Sequence, residues 1–277
     1  MKKVTFICST YNDEELFDGW INDLINQTIF KDCEIIMVDC NSSQKEFELA
    51  LPYKEKYPDN IKLIKLPVDK GLYNGWNYAI KYASGEYISN ASMDDRRCTT
   101  YAEKLSNFLD SNKSCDVVYT DNYVTNKVNE TFKNNSSDGK GYGDSHLLKL
   151  EFTVEHMLRA NLPHVIPMWR KSIHQKTGVF LESYPSAADW EFWLRATMLG
   201  ISMEYYPEIL GLYCSNPDGL SSNPANDPWK LPDEQYIQKS YIEYYKKYVL
   251  TKENTNDSFF NWWKSRYWRT HKKGFFK

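Results

Sequence analysis

The chain has 277 residues, enough for one large domain with an appendage, which excludes a small disulfide-stapled fold. Its 34 Lys and Arg against 37 Asp and Glu leave a formal charge of −3, so no global positive field draws it onto nucleic acid. Apolar residues at 42% and charged residues at 26% describe a globular chain, and 21 Tyr with 9 Trp form an aromatic excess that needs a structural use.

The first third alternates short β-branched runs with amphipathic stretches, the pattern of a mostly parallel sheet with helices on its faces. Residues 4–8 read as the first strand. Leu16, Phe17, Trp20, Ile21, Leu24 and Ile25 then recur at helical spacing, predicting a helix that begins near Asn12 or Asp13. Strands at 34–38, 61–66 and 86–89 alternate with helices at 44–57, 73–83 and 99–111, and 116–120 reads as a further strand. Residues 125–145 are rich in Asn, Ser, Lys and Gly, so a mobile loop or irregular hairpin is expected; Gly139, Gly141 and Gly143 follow no strand and carry no phosphate-loop context. An apolar segment at 165–169, a helix at 188–199 and a strand at 209–213 follow. Four prolines in 216–232 predict an extended connection to two last helices, 233–250 and 257–270. The expected division is a catalytic unit over 1–215, with halves 1–121 and 122–215, and a linker with helical tail over 216–277.

Six cysteines form no C-x-x-C pair and no zinc-ligand spacing, which reads as free thiols. His146, His156, His164 and His174 are scattered, and surface or core roles are expected for them. Residues 1–10 are too short in apolar content for a signal peptide, and no run reaches a membrane span, so a cytoplasmic location is expected.

Ligands of an open parallel sheet sit at the carboxyl ends of its strands. There the sequence places Thr10, Tyr11 and Asn12, then Asp39, then Asp94 and Asp95. Neither a G-x-G-x-x-G nor a P-loop follows any strand, so phosphate charge must be met otherwise. Adjacent carboxylates suit Mg²⁺ or Mn²⁺ completed by diphosphate oxygens. Asp39 offers acceptors for a base N–H, and Tyr11 a face for stacking.

The runs Ser9-Thr10-Tyr11-Asn12, Val38-Asp39-Cys40-Asn41-Ser42, Lys70-Gly71-Leu72-Tyr73-Asn74-Gly75-Trp76-Asn77, Ser84-Gly85-Glu86-Tyr87-Ile88 and Met93-Asp94-Asp95 resemble, in order and spacing, the family 2 glycosyltransferases of the A-type fold. Ala188-Asp189-Trp190-Glu191-Phe192-Trp193-Leu194-Arg195 resembles that family's acceptor segment. The resemblance implies a single twisted α/β sheet and transfer from a nucleotide-diphosphate sugar, a UDP-sugar favoured, to a glycan or lipid-linked acceptor. It assigns the donor nucleotide to Thr10, Tyr11, Asn12, Asp39, Lys70 and Asn77, with Asp94 and Asp95 at the donor and the metal. Asp189 is implied as general base, with Trp190 and Arg195 on the acceptor side. On the residues alone, Asp189 is equally a helix N-cap, Arg195 an i,i+4 partner of Glu191, and Trp190 a core residue. Three departures stand out: Ser92 replaces an acidic residue, Ala188 replaces Glu, and Asp39-Cys40 keeps only one carboxylate of a pair.

A single catalytic carboxylate suits inverting transfer, whereas a glycosidase needs two. The absence of a spanning segment and of a Q-x-x-R-W motif argues against a processive synthase, and the lack of an early glycine-rich basic loop against a nucleotidyltransferase. A catalytically inactive sugar-nucleotide-binding module is the alternative that Ser92 and Ala188 favour. The tail 259–277 holds six Lys or Arg, no acid and eight aromatics. That composition suits peripheral contact with an anionic inner membrane surface, or packing on the chain's own domain or on a second subunit of a homodimer.

Overall fold

The computed structural model of the chain describes residues 1–146, 150–216, 218–220, 223 and 225–271, the side chains of 145 and 267–271 excepted. In chain order the first half contains β1 (Val4–Thr10), α1 (Phe17–Ile25), β2 (Cys33–Asp39), α2 (Glu46–Lys56), β3 (Ile61–Lys65), α3 (Leu72–Tyr82), β4 (Tyr87–Asn90), β5 (Arg96–Arg97), α4 (Tyr101–Ser111) and β6 (Val117–Thr125). The second half contains α5 (Tyr142–Ser145), α6 (Val154–Met157), β7 (Met168–Arg170), α7 (His174–Thr177), α8 (Ala188–Met198), β8 (Met203–Cys214), α9 (Lys230–Tyr244) and α10 (Asn256–His271).

One eight-stranded sheet in the order β3-β2-β1-β4-β7-β6-β8-β5 runs through the molecule. It is mostly parallel, as expected; β7 and β5 run against their neighbours. Both faces are covered, which is why β2 reads as the unbroken apolar run Ile35-Ile36-Met37-Val38. Ile36 and Val38 enter the core beneath α3 and α8, and Ile35 and Met37 enter the one beneath α1 and α4. The order reverses at β1, which pairs with β2 on one side and β4 on the other. That reversal opens the crevice at the carboxyl ends of these strands.

Several elements differ from expectation, each for a local reason. The first helix starts at Phe17 because Asn12 adopts a left-handed φ of 61° and Glu14–Leu16 form a 3-10 turn. Strands β6 and β8 outrun their apolar segments, because the register shifts at Asp121 and lets the ladder pass Pro207 and Glu208, neither of which has a partner there. The segment 126–146 is a flap closed as an irregular hairpin, with an antiparallel bridge between Tyr123 and Gly141. Glu130 accepts from Ser136 N (3.0 Å) and Ser136 Oγ (2.9 Å), and Gly143 N donates to Asp121 Oδ1 (3.2 Å). Gly141 is required there, since a Cβ would fall 1.8 Å from Asp121 Oδ2. Helix α9 begins at Lys230 with Pro232 in its first turn, where no intrahelical N–H is needed. Of the four prolines of the connection, Pro217 and Pro224 lie outside the described residues.

The last helices are part of the main core. Ile237, Tyr241, Tyr244 and Phe259 are fully buried with Trp193 and Leu194 of α8, and Trp262 and Trp263 pack against the same cluster. Own-domain packing therefore accounts for these tail rings; residues 272–277 lie outside the described residues. Fully buried Glu191 joins the layers, accepting from Arg195 Nη2 (2.8 Å), Tyr241 Oη (2.8 Å) and Trp263 Nε1 (2.9 Å).

Replacing Glu191 by Ala leaves Arg195 buried without its counterion and is expected to lower the unfolding free energy by about 3–5 kcal/mol. Trp263→Phe, which removes one hydrogen bond, should cost about 1 kcal/mol. Urea denaturation followed by circular dichroism measures both; an alanine effect as small as the Phe one would mean that Glu191 is not the joint.

Candidate active site

The carboxyl ends of β1, β2 and β4 bring together much of what the motifs suggest. Asp39 closes β2 and is buried, its Oδ1 accepting from Ser42 N at 2.7 Å. Its buried Oδ2 has no hydrogen-bond partner; Lys65 Nζ lies 3.4 Å away without hydrogen-bond direction. Tyr11 stands at the rim, 49% exposed, with its ring open for stacking. Thr10 and Asn12 shape the cleft instead of facing it. The Thr10 hydroxyl is buried, within reach of Asp13 (3.3 Å), Glu46 (3.4 Å) and Met93 Sδ (3.5 Å). Asn12 Oδ1 binds the loop after β2, accepting from Ser43 N at 3.0 Å and Ser43 Oγ at 2.9 Å.

Asp94 and Asp95 follow β4, and the fold divides the pair. Asp95 is buried and turns inward, where Cys214 N donates to its Oδ1 at 3.2 Å and Arg96 and Arg97 lower its charge cost. Asp94 is half-buried. Burial raises the pKa of both, and Asp94 raises that of Asp95 further. A divalent cation would relieve this repulsion with hard oxygen ligands. No group of three or more His, Cys, Asp or Glu suited to a metal occurs among the described residues. A cation placed here would have Asp94 as its protein ligand, with Asp95 behind it, and would need diphosphate and water oxygens for the rest of its shell, as Mg²⁺ commonly does.

Asp13 and Glu46 are additions that the motifs did not signal. Asp13 Oδ2 accepts from Tyr11 N at 3.2 Å, and fully buried Glu46 binds the Asp13 N–H and Ser42 Oγ (2.8 Å). Burial first, then Asp94 and Glu46, push Asp13 up to about 6.

Asp189 lies in the first turn of α8, whose N-cap is Ala187, so it is not the capping residue. Its Oδ1 accepts from Trp190 N (2.8 Å) and Tyr73 Oη (3.1 Å), and its Oδ2 from Asn161 Nδ2 (2.7 Å). Burial and the Asp189 charge raise the Tyr73 pKa, keeping the phenol a donor. A carboxylate has about four acceptor positions. Three have partners here, which leaves one position on Oδ2 without a hydrogen-bond partner among the described residues. Asn161 lies in a stretch without any motif, and only its long-range contact reveals it.

Helix α3 spans the two halves. Gly75 packs on β1 so closely that a Cβ would sit 2.3 Å from Ser9 Oγ, while Tyr73 reaches Asp189. Lys70 is exposed in the loop before α3. Three residues are corrected by their contacts. The Asn77 amide is engaged by the 180–182 segment, donating to Glu182 Oε1 (3.0 Å) and Phe180 O (2.9 Å) and accepting from Phe180 N (3.0 Å). Trp190 is a core residue whose Nε1 donates to Met157 O at 3.0 Å, so it offers no acceptor platform. Arg195 is buried, with its guanidinium engaged by Glu191, Thr177 O and Val179 O.

Comparison with known proteins identifies the family and the fold. The family model described as Glycosyl transferase family 2 matches residues 5–170. An uncharacterized glycosyltransferase of Haemophilus influenzae is 28% identical over 79% of this chain and 67% of its own length. A poly(ribitol-phosphate) beta-glucosyltransferase of Bacillus spizizenii is 35% identical over 40% of this chain, which spans only 18% of that relative. The crystal structure of S. aureus TarS 1-349 in complex with UDP-GlcNAc superposes with a TM-score of 0.70 at 19% identity, over 99% of this chain and 76% of that one, a likeness of fold.

The raised pKa of Asp13 makes a pH prediction. The folded state holds this proton more tightly than the unfolded chain, so stability is lost as pH rises from about 4 to about 6. Asp13→Asn keeps the acceptor for Tyr11 N and removes the charge. In EDTA-treated protein it should be more stable than the parent by about 1–3 kcal/mol at pH 7.5, with the gain shrinking below about 1 kcal/mol at pH 4.5. Urea titrations at both pH values test this, and an equal gain at each would remove the charge as its cause.

Proposed function

This chain belongs to glycosyl transferase family 2, and on that premise we propose that it moves a sugar from a UDP-sugar to a hydroxyl of a glycan or lipid-linked acceptor, with inversion, in the synthesis of a surface polysaccharide or teichoic-acid-type polymer. The observation that carries the mechanism is the single acceptor position of Asp189 left without a partner among the described residues, on a carboxylate otherwise held by Tyr73, Trp190 N and Asn161. Asp189 takes the acceptor hydroxyl's proton as that oxygen bonds to the anomeric carbon. The bond to the diphosphate breaks on the opposite face, its electron pair leaving with the phosphate oxygen. A divalent cation held at Asp94 supplies charge neutralisation of the leaving diphosphate. Asp39 Oδ2 receives a base N–H, and Tyr11 stacks on the base.

The UDP-sugar donor is supported by the TarS complex with UDP-GlcNAc, and the polymer acceptor by the relative that acts as a poly(ribitol-phosphate) beta-glucosyltransferase. No helix among the described residues is long and apolar enough to cross a membrane. Peripheral contact with an anionic surface falls to the basic tail residues such as exposed Lys264, since the tail rings up to Trp263 are engaged with the core.

Donor hydrolysis across UDP-, GDP- and dTDP-sugars with Mn²⁺ or Mg²⁺ identifies the donor without the acceptor. Asp94→Asn should abolish turnover with the fold intact, and excess EDTA should do the same to the parent; full activity in EDTA overturns the metal role. Asp189→Asn should lower transfer by about 10² or more while nucleotide affinity persists. Weaker donor binding with an unchanged rate at saturation would make Asp189 a binding residue, and retained anomeric configuration in the NMR coupling constant would overturn direct displacement.

A further inference from the structure

We propose that the turn 161–165 reads the sugar being transferred, with the His164 imidazole as its hydrogen-bonding contact to a sugar hydroxyl; this rests on the donor assignment above. Three side chains meeting at this turn each leave one buried polar atom without a hydrogen-bond partner: Asn90 Oδ1, Asn161 Oδ1 and His164 Nδ1. Their remaining groups are fixed. Asn90 Nδ2 donates to Val165 O at 2.8 Å, Asn161 Nδ2 to Asp189 Oδ2 at 2.7 Å, and His164 N to Asn161 O at 3.3 Å. The imidazole is held between rings, edge-on to Tyr213 at 4.9 Å and tilted against Tyr142 at 5.5 Å.

His174 shows what a histidine with a purely structural role looks like here. Its Nδ1 meets Gly178 O at 2.8 Å and its Nε2 accepts from Trp169 Nε1 at 3.0 Å, so both ring nitrogens are matched. His164 Nδ1 is buried and unmatched. Buried polar atoms are nearly always paired, and three orphans around one turn mark a place built for a polar guest.

The turn also lies where a donor's sugar must lie. Asn161 holds the proposed base, and Tyr213 precedes Cys214, whose N–H binds Asp95 beside the diphosphate side. Asn90 ends β4, four residues before Asp94. A sugar between diphosphate and base presents hydroxyls that donate to the two amide oxygens and pair with Nδ1 in either sense. Burial, reinforced by Lys230 and His146 and opposed by Asp189, lowers the His164 pKa, so the ring meets the sugar neutral.

Calorimetry on the full chain with Mn²⁺ tests this with UDP, UDP-GlcNAc and UDP-Glc. In His164→Leu, UDP affinity should stay within about twofold, while the affinity for the preferred UDP-sugar, taken relative to UDP, falls about tenfold. His164→Asn, which returns a polar atom near the Nδ1 position, should recover most of that ratio, and His164→Gln, which places its amide toward Nε2, should not. The asparagine and glutamine pair decides the matter even if the leucine variant fails to fold. An unchanged ratio, an equal loss for UDP and UDP-sugar, or a defect confined to the acceptor's KM overturns the assignment. A parent chain that binds UDP but no UDP-sugar overturns the donor assignment itself, which unchanged ratios in the variants would leave standing.

Discussion

Glu191 is a carboxylate removed entirely from solvent, and the position of the proposed base depends on keeping it satisfied. A buried charge is tolerable only when its acceptor positions are filled and its counterion is close. Here Arg195 supplies Nε (3.2 Å) and Nη2 (2.8 Å), α9 supplies Tyr241 Oη, and α10 supplies Trp263 Nε1. The guanidinium then binds the carbonyls of Thr177 and Val179 and stacks over Phe192 and Trp263, 5.1 Å and 5.3 Å from the ring centroids. Moving α8 would unpair several of these groups at once. Asp189 lies two residues before Glu191, about 3 Å along the helix axis, so its placement is inherited from that network.

The donor side is built differently, from backbone rather than from a buried charge. Parallel pairing of β2, β1 and β4 fixes where Asp39, Tyr11 and Asp94 emerge, and loop contacts refine it: Asn12 ties the β1 end to Ser43, and Glu46 ties Asp13 to Ser42. The flap 126–146 reaches the same edge. Arg96 Nη2 donates to Asn129 Oδ1 at 3.2 Å, and Asn129 Nδ2 donates to Glu15 O at 3.0 Å. Helix α3 couples this edge to the base, because its close seat on β1 at Gly75 leaves no room to slide as Tyr73 holds Asp189.

What was legible in the sequence follows from the range of the interactions that carry it. The alternation of strand and helix, the two-sided burial of β2 and the stripe of α1 are local periodicities, and they locate the sheet and its reactive edge. Motif position also placed Asp39 and Asp94 at or just after the carboxyl ends of β2 and β4, and Asp189 at the start of α8. It did not give side-chain direction: Asn77 sits in the same motif as Tyr73 but four residues along α3, and its amide clasps the loop at Phe180. Likewise Trp190 is next to Asp189 yet points to Met157. An irregular hairpin over 126–146 was legible as one of two readings, but not the side chains that pin it, because Glu130, Asp121 and Arg96 act through partners that a polar, glycine-rich composition does not announce. The full length of β6 and β8 is not legible for the same reason, since the bulge that accommodates Pro207 is a property of the pair.

Counting acceptor positions separates the carboxylates that hold the fold from those left to do chemistry. Glu34 is filled by Thr5, Lys62 and Ser84, and Glu191 by Arg195, Tyr241 and Trp263, so neither has room for a ligand. Asp95 is turned inward onto Cys214 N with two arginines behind it. Asp39 keeps Oδ2 without a hydrogen bond, and Asp189 keeps one position on Oδ2. Asp94, half-buried at the rim, keeps its charge against the cost of burial, which Arg96, Arg97 and nearby backbone N–H groups partly offset. The three carboxylates with unfilled capacity stand at the ends of β2, β4 and α8, the order in which a nucleotide, its diphosphate and an incoming hydroxyl would be laid across the crevice.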